Sequence, residues 1–203
     1  YRSGRNRIRF KAMSRPNFAY ALGPVGYRPY RISWDKGGPS LEPEDGTPES
    51  VLMPGFVDIH IHGSFGIDFM SCSQAELISL ADQLSEIGVE SFLPTTVTAS
   101  PTQVADAIAK LPSSVESILG FHLEGPFISD KYPGAQPQGD IAGLPPEPAW
   151  EPILADPRLR VITMAPELTG ALPLIQQLAS RGVIVSMGHT NATYVECAAA
   201  YAS

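Results

Sequence analysis

The chain has 203 residues, enough for one medium domain or a part of a larger one, with 43% hydrophobic residues and a formal net charge of −7. No run of 18 or more apolar residues occurs, which argues against a membrane-spanning helix, and Cys72 and Cys197 are too far apart for a metal-type motif, as in a reduced, cytoplasmic protein with incidental thiols. The charge is unevenly spread: residues 1–34 hold eight of the 14 Lys and Arg residues and no acid, leaving all 21 acids against six bases in the remainder.

That basic head reads as a transit-like segment, a polyanion-binding arm, or a stretch outside the folded body. Residues 1–50 form a basic, Pro-rich segment of uncertain fold, with Pro16, Pro24, Pro29, Pro39, Pro43 and Pro48 and little periodicity. A short strand is expected over 28–34, stopped by Gly37-Gly38-Pro39. From residue 51 the pattern changes to apolar runs alternating with helical segments, the pattern of parallel βα units. The first buried strand is expected at 57–61. Ser73 with Glu76 is a capping box opening a helix that Gly88 ends. A second strand is expected at 90–94, and Ser100-Pro101 starts the next helix with Pro at its tolerated first position. A third strand at 118–123 leads into a long Pro- and Gly-rich loop over 125–148. The fourth strand falls at 160–164 with a helix over 171–181. The fifth falls at 183–187, and Asn191 is expected to cap a last helix. Polar residues gathered just past the strand ends favour a partial (β/α) barrel, about five of eight units over 51–203, above a doubly wound sheet.

All four histidines, His60, His62, His122 and His189, fall at or just past predicted strand ends. Residues two apart on a strand share a face, so His60 and His62 aim into one space, as two imidazoles must to hold one ion. His122 and Glu124 share a face by the same rule. A lone strand histidine is usually a satisfied polar core residue, and a lone loop Glu is usually solvated. Their recurrence at successive strand ends points instead to a metal site, and mixed imidazole and carboxylate ligands suit Zn or Fe(II) better than Mg or Ca.

The run Pro54-Gly55-Phe56-Val57-Asp58-Ile59-His60-Ile61-His62-Gly63 resembles the opening motif of the amidohydrolase superfamily. The run Gly120-Phe121-His122-Leu123-Glu124-Gly125-Pro126-Phe127 is narrower and resembles the N-acetylglucosamine-6-phosphate deacetylases. So do Phe92-Leu93-Pro94-Thr95-Thr96, Thr163-Met164-Ala165-Pro166-Glu167 and Gly188-His189-Thr190-Asn191-Ala192. The resemblance implies that Glu124 is the central metal ligand, that His189 binds the same ion, and that His60 and His62 hold a second ion bridged by Glu124. It implies sugar contacts at Ala135 and Gln136, although Gln136 stands where some relatives have His, and a second-shell or structural place for His122. It further implies a small β-sandwich in the place of residues 1–50, whose sequence does not resemble one. A further His ligand and the general-base Asp are expected beyond Ser203.

The function so implied is metal-dependent deacetylation of N-acetylglucosamine 6-phosphate to glucosamine 6-phosphate and acetate, in amino sugar catabolism. The partner is then a small amino sugar phosphate, with no nucleic acid or membrane, and the complete enzyme is expected to be a homodimer. One alternative is a truncated, catalytically incomplete relative. Another is an amidohydrolase of the hydantoinase or dihydroorotase type. The latter commonly carries a metal-bridging Lys at the fourth strand, where none of Lys11, Lys36, Lys110 and Lys131 falls.

Overall fold

Two tight hairpins begin the described part of the chain, residues 15–203 of the computed structural model. Strand β1 (Phe18–Gly23) runs antiparallel to β2 (Gly26–Asp35), which runs antiparallel to β3 (Gly38–Pro43). A short β4 (Val51–Leu52) lies parallel to β1, giving the order β3-β2-β1-β4. Ala19 and Ala21 on β1 and Tyr30 and Ile32 on β2 are buried at a period of two, the mark of a sheet with one covered face. The expected short strand is therefore one member of a sheet. Gly37-Gly38 marks a turn, with the Gly37 N–H donating to Asp35 Oδ1 at 2.6 Å. Prolines obscured this in the sequence, because they count against strands: Pro39 and Pro43 lie on edge strand β3, where a missing donor costs little, but Pro29 lies within central β2.

Part of the basic head belongs to this sheet. Arg28 pairs with Asp45 at 2.8 Å, Arg31 pairs with Glu44 at 2.5 Å, and Arg15 lies over the Trp34 ring. Such exposed pairs are worth at most about 1 kcal/mol each. Arg2, Arg5, Arg7, Arg9 and Lys11, on which the arm and transit readings rest, lie outside the described residues.

The chain divides at residue 56, and Val57–Ser203 forms the second unit. Its main strands are β5 (Phe56–Ile61), β8 (Val89–Pro94), β9 (Phe121–Glu124), β10 (Leu159–Met164) and β11 (Ile184–Met187). After β5 comes a two-strand hairpin, β6 (Gly63–Ser64) and β7 (Ile67–Asp68), whose turn residues Phe65 and Gly66 both have positive φ. β5 pairs with β8, and β9, β10 and β11 form a parallel sheet. Parallel bridges Phe92↔Ile118 and Thr95↔His122 join the two pieces. The five strands thus stand in chain order, without the reversal of a doubly wound sheet. Among the described residues they form partial sheets and do not close into a barrel.

The connecting helices follow the patterning. α1 (Gln74–Glu86) starts at N-cap Ser73, whose hydroxyl and Glu76 form a reciprocal capping box. It buries Leu77, Leu80, Ala81 and Leu84, spaced for one helical face. α2 (Pro101–Ala109) is capped in the same way by Ser100 and Gln103. α4 (Ala171–Ser180) buries Leu174, Ile175 and Leu178. With Phe92, Phe121, Leu123, Ile162 and Met164 from the strands, these make one core, each large side chain worth about 1.5–3 kcal/mol.

Three expectations need correction. A five-residue helix, α3 (Glu151–Ala155), follows the long loop, where none was predicted; Pro152 at its first turn and its brevity hide the period. The last helix, α5 (Tyr194–Tyr201), is capped by Thr193 with Glu196, and the Asn191 N–H goes to Glu167 instead. Nor is β5 buried: Phe56, Val57 and Ile59 are 58%, 56% and 55% exposed, since among the described residues β5 pairs with β8 alone.

Candidate metal centre

The ends of β5, β9 and β11 bring their polar residues together. On β5, the Ile61 N–H donates to Thr95 Oγ1 at 2.9 Å and the Thr95 N–H donates to the Ile61 carbonyl, fixing the strand end beside β8. His62 then donates from Nδ1 to the Thr95 carbonyl at 3.1 Å. Because a carbonyl can only accept, this bond sets the tautomer and turns Nε2 inward. His62 Nε2 lies 3.1 Å from Glu124 Oε2, and His60 Nε2 lies 3.3 Å from both His62 Nε2 and Glu124 Oε1.

Glu124 ends β9 with its side chain only 5% exposed. Its N–H donates to Thr96 Oγ1, and the next residue, Gly125, donates to the Thr163 carbonyl of β10. Burial acts to raise the Glu124 carboxyl, but hydrogen bonds from His62 and His189 outweigh it and hold the group down at about 2. The same bond to Glu124 raises the His62 imidazole above its ordinary value. His189 follows β11 and brings Nε2 to 3.1 Å from Glu124 Oε1. Its φ of 49° is unusual for a side-chain-bearing residue. The surrounding turn is pinned: the Ser129 N–H donates to the His189 carbonyl, and Glu167 accepts from the Thr190 hydroxyl and the Asn191 N–H.

The ligand atoms of His60, His62 and Glu124 all lie within 4.8 Å of one another, a donor set able to hold one metal ion. His189 stands outside that triplet and meets only its carboxylate. His122 is turned away. Its Nδ1–H donates to the Ile59 carbonyl at 3.0 Å, and Nε2 accepts from the Thr163 hydroxyl at 2.8 Å, so neither nitrogen is offered to an ion. The ring packs edge-on against His60, with centroids 4.7 Å apart. Ala135 is exposed, whereas Gln136 is buried and bonded to Glu124. Thr95, Thr96, Thr98 and Thr163 were not singled out as site residues. For Thr95, Thr96 and Thr98 the signal was the threonine-rich stretch directly after the second strand; Thr163, inside the fourth strand, carried none.

Burial lowers His122 to about 4, and the neighbouring His60 adds to the shift. Below pH 6.5 the unfolded chain therefore takes up a proton that the folded chain refuses, so this group removes stability as pH falls toward 4. We expect the metal-free protein to lose about 2 kcal/mol from this source between pH 7 and pH 5. Urea denaturation of wild type and His122→Asn at both pH values tests it, and equal pH slopes for the two would refute it.

Gly125 makes the turn that follows Glu124. Its φ is +72°, and a Cβ there would lie 2.1 Å from Thr98 Oγ1. Gly125→Ala should cost about 2–4 kcal/mol, through backbone strain and overlap together. An unchanged urea midpoint would show that the turn relaxes freely.

A family model described as Amidohydrolase family matches residues 51–203. The chain is 39% identical over 155 residues to N-acetylglucosamine-6-phosphate deacetylase of Bacillus subtilis, covering 71% of this chain and 39% of that one. It is 33% identical over 182 residues to the Homo sapiens protein of the same name, covering 77% and 44%. The crystal structure of the Thermotoga maritima deacetylase superposes with a TM-score of 0.79 at 32% identity, over 91% of this chain and 51% of that one. A Mycobacterium smegmatis D267A mutant, solved in complex with N-acetyl-D-glucosamine-6-phosphate, superposes with a TM-score of 0.74 at 29% identity, over 91% and 52%. The chain thus spans less than half the length of these curated relatives and about half of the solved structures. The family match takes in every histidine of the chain together with Glu124, and the chain belongs to the amidohydrolase family.

Proposed function

We propose that this chain is the metal-binding part of an enzyme that hydrolyses N-acetylglucosamine 6-phosphate to glucosamine 6-phosphate and acetate. One observation carries the reading: two imidazole nitrogens and a buried carboxylate converge within 4.8 Å at the ends of β5 and β9, in a chain whose residues 51–203 match the amidohydrolase family and which is similar over 155 residues to a deacetylase. The strands in chain order agree with part of a (β/α) barrel whose chemistry lies at their C-terminal ends.

The donor set, imidazole nitrogens with one carboxylate, fits Zn or Fe(II). His60 and His62 would hold one ion, His189 a second, and Glu124 both. A bound divalent ion supplies Lewis acidity, lowering the pKa of water and polarising an amide carbonyl. This chain's residues prepare the site. The Thr95 carbonyl holds the His62 tautomer, and Glu124 stays ionised with its carboxyl near 2. His122 braces β5, β9 and β10 by bonding Ile59 and Thr163. Ala135, exposed on the loop after β9, would meet the sugar through its backbone. On this reading the general base would be an Asp supplied from beyond Ser203. The same reading expects a cytoplasmic homodimer for the complete enzyme; no helix among the described residues is long and apolar enough to cross a membrane.

The hydantoinase and dihydroorotase alternative finds no support here. Residues 159–170, which form β10 and the turn after it, contain no lysine, and Lys110 Nζ donates to the Met70 carbonyl. The test is acetate release by the polypeptide of the full reading frame, loaded with Zn or Fe(II). Turnover of N-acetylglucosamine 6-phosphate with hydantoin untouched is expected. Turnover of hydantoin alone would overturn the reading, and a metal-loaded chain inert to both would favour the truncated relative.

A further inference from the structure

We infer that Gln136 is a positioning residue for the Glu124 carboxylate and is not a contact to the sugar. The inference rests on the reading of Glu124 as a metal ligand and goes beyond it. Gln136 sits 12 residues after Glu124, on the loop that leaves β9 and returns to the site, and is 8% exposed. Its Nε2 donates to Glu124 Oε2 at 2.8 Å, while its Oε1 accepts the Thr98 N–H at 2.7 Å. The two bonds fix the amide's orientation, because a backbone N–H can only donate and so must face the amide oxygen. The amino end is then left to meet a carboxylate that can only accept.

This places a neutral donor at one oxygen of Glu124. Oε2 is shared by Gln136 and His62, while Oε1 faces His60 and His189. A carboxylate oxygen has two acceptor positions, so Oε2 can keep the Gln136 bond and still serve as a ligand. A Lys at this position would bring a charge to compete with a cation; an amide fixes the carboxylate plane without one. The loop itself is held: the Gln136 N–H donates to the Pro133 carbonyl, and Gly134 lies against the His189 ring, where a Cβ would stand 3.4 Å from Cε1. Both polar ends of Gln136 are thereby engaged inside the protein, whereas its neighbour Ala135 is exposed.

The test uses the 203-residue chain and Zn(II), with affinity read by competition against a chromophoric chelator. Gln136→Leu keeps the bulk and loses both bonds; its affinity should fall about 10-fold, at the lower end for loss of a group that orients a ligand. Circular dichroism reports whether the variant folds. In the zinc-loaded wild type, the Gln136 side-chain amide should exchange slowly by NMR, a measurement that does not depend on the variant. A folded Gln136→Leu that binds zinc as tightly as wild type overturns the inference and leaves the metal site standing. So does a rapidly exchanging amide. In the full-reading-frame enzyme, a raised KM with unchanged metal affinity would return Gln136 to the sugar. A wild-type chain that takes up no zinc removes the metal reading and this inference together.

Discussion

Glu124→Ala should abolish stoichiometric metal binding, with affinity for Zn(II) lower by on the order of 1,000-fold or more, about 4 kcal/mol. Outer-shell partners of a ligand typically account for 10–100-fold, and Glu124 is the one group that all the others meet. His60, His62 and His189 each lie 3.1–3.3 Å from its oxygens, and the Gln136 amide lies closer, at 2.8 Å. Alanine removes the only anion of the cluster and leaves three imidazoles facing a cavity. Glu124→Gln separates charge from shape: it keeps the volume and one acceptor, and should still weaken binding by at least about 100-fold. Metal content after dialysis against trace zinc gives the answer. A Glu124→Ala chain that holds more than half an equivalent would sink the assignment. The expected pH dependence has a definite sign. Glu124, near 2, stays ionised throughout the working range, while protonation of the imidazoles competes with the ion. The raised pKa of His62 places the onset of that competition above the ordinary histidine value, so zinc affinity falls as the medium is acidified from neutrality.

The parts of this site that were legible in the sequence are those fixed by short-range rules. Strand parity alone puts His60 beside His62, and Gly125-Pro126 and Gly188 mark where strands end, so the candidate ligand residues could be read without knowing how the strands pair. Capping boxes located α1 from Ser73 and Glu76 for the same reason. The pair Thr193 and Glu196 carries an equally local signal, and it outweighs the lone Asn191, whose backbone is taken by Glu167. Gln136 is a different case. Its partner lies 12 residues away across an aperiodic loop, and nothing in residue type distinguishes a glutamine that reaches a carboxylate from one that reaches solvent. The N-terminal sheet was obscured by prolines, one of them in a central strand. Apolar content alone marked β5 as buried, yet burial depends on neighbours, and β5 pairs with β8 alone among the described residues. Local chemistry was readable; contacts closed by long loops and by strand neighbours were not.

The first equivalent of zinc should depend on His60 and His62 far more than on His189. Although His189 touches the same carboxylate, its surroundings differ. His60, His62 and Glu124 form a triplet with all ligand atoms within 4.8 Å, and the Thr95 carbonyl presets one of the rings. Three protein ligands with the fourth position left to water is a complete arrangement for zinc. Among the described residues, Glu124 is the only metal-type ligand that the His189 Nε2 meets, so an ion there draws on two protein ligands. His60→Ala or His62→Ala should therefore weaken the first equivalent at least about 100-fold, while His189→Ala should change it by less than about 3-fold. Titration of the three variants against the same chelator decides the matter. Equal losses in all three would mean that His189 shares the first ion, and a loss confined to His189→Ala would move the principal site to β11. Gln136→Leu supplies an internal check, since it acts through Glu124 Oε2, the oxygen facing His62, and its loss should appear in the first equivalent.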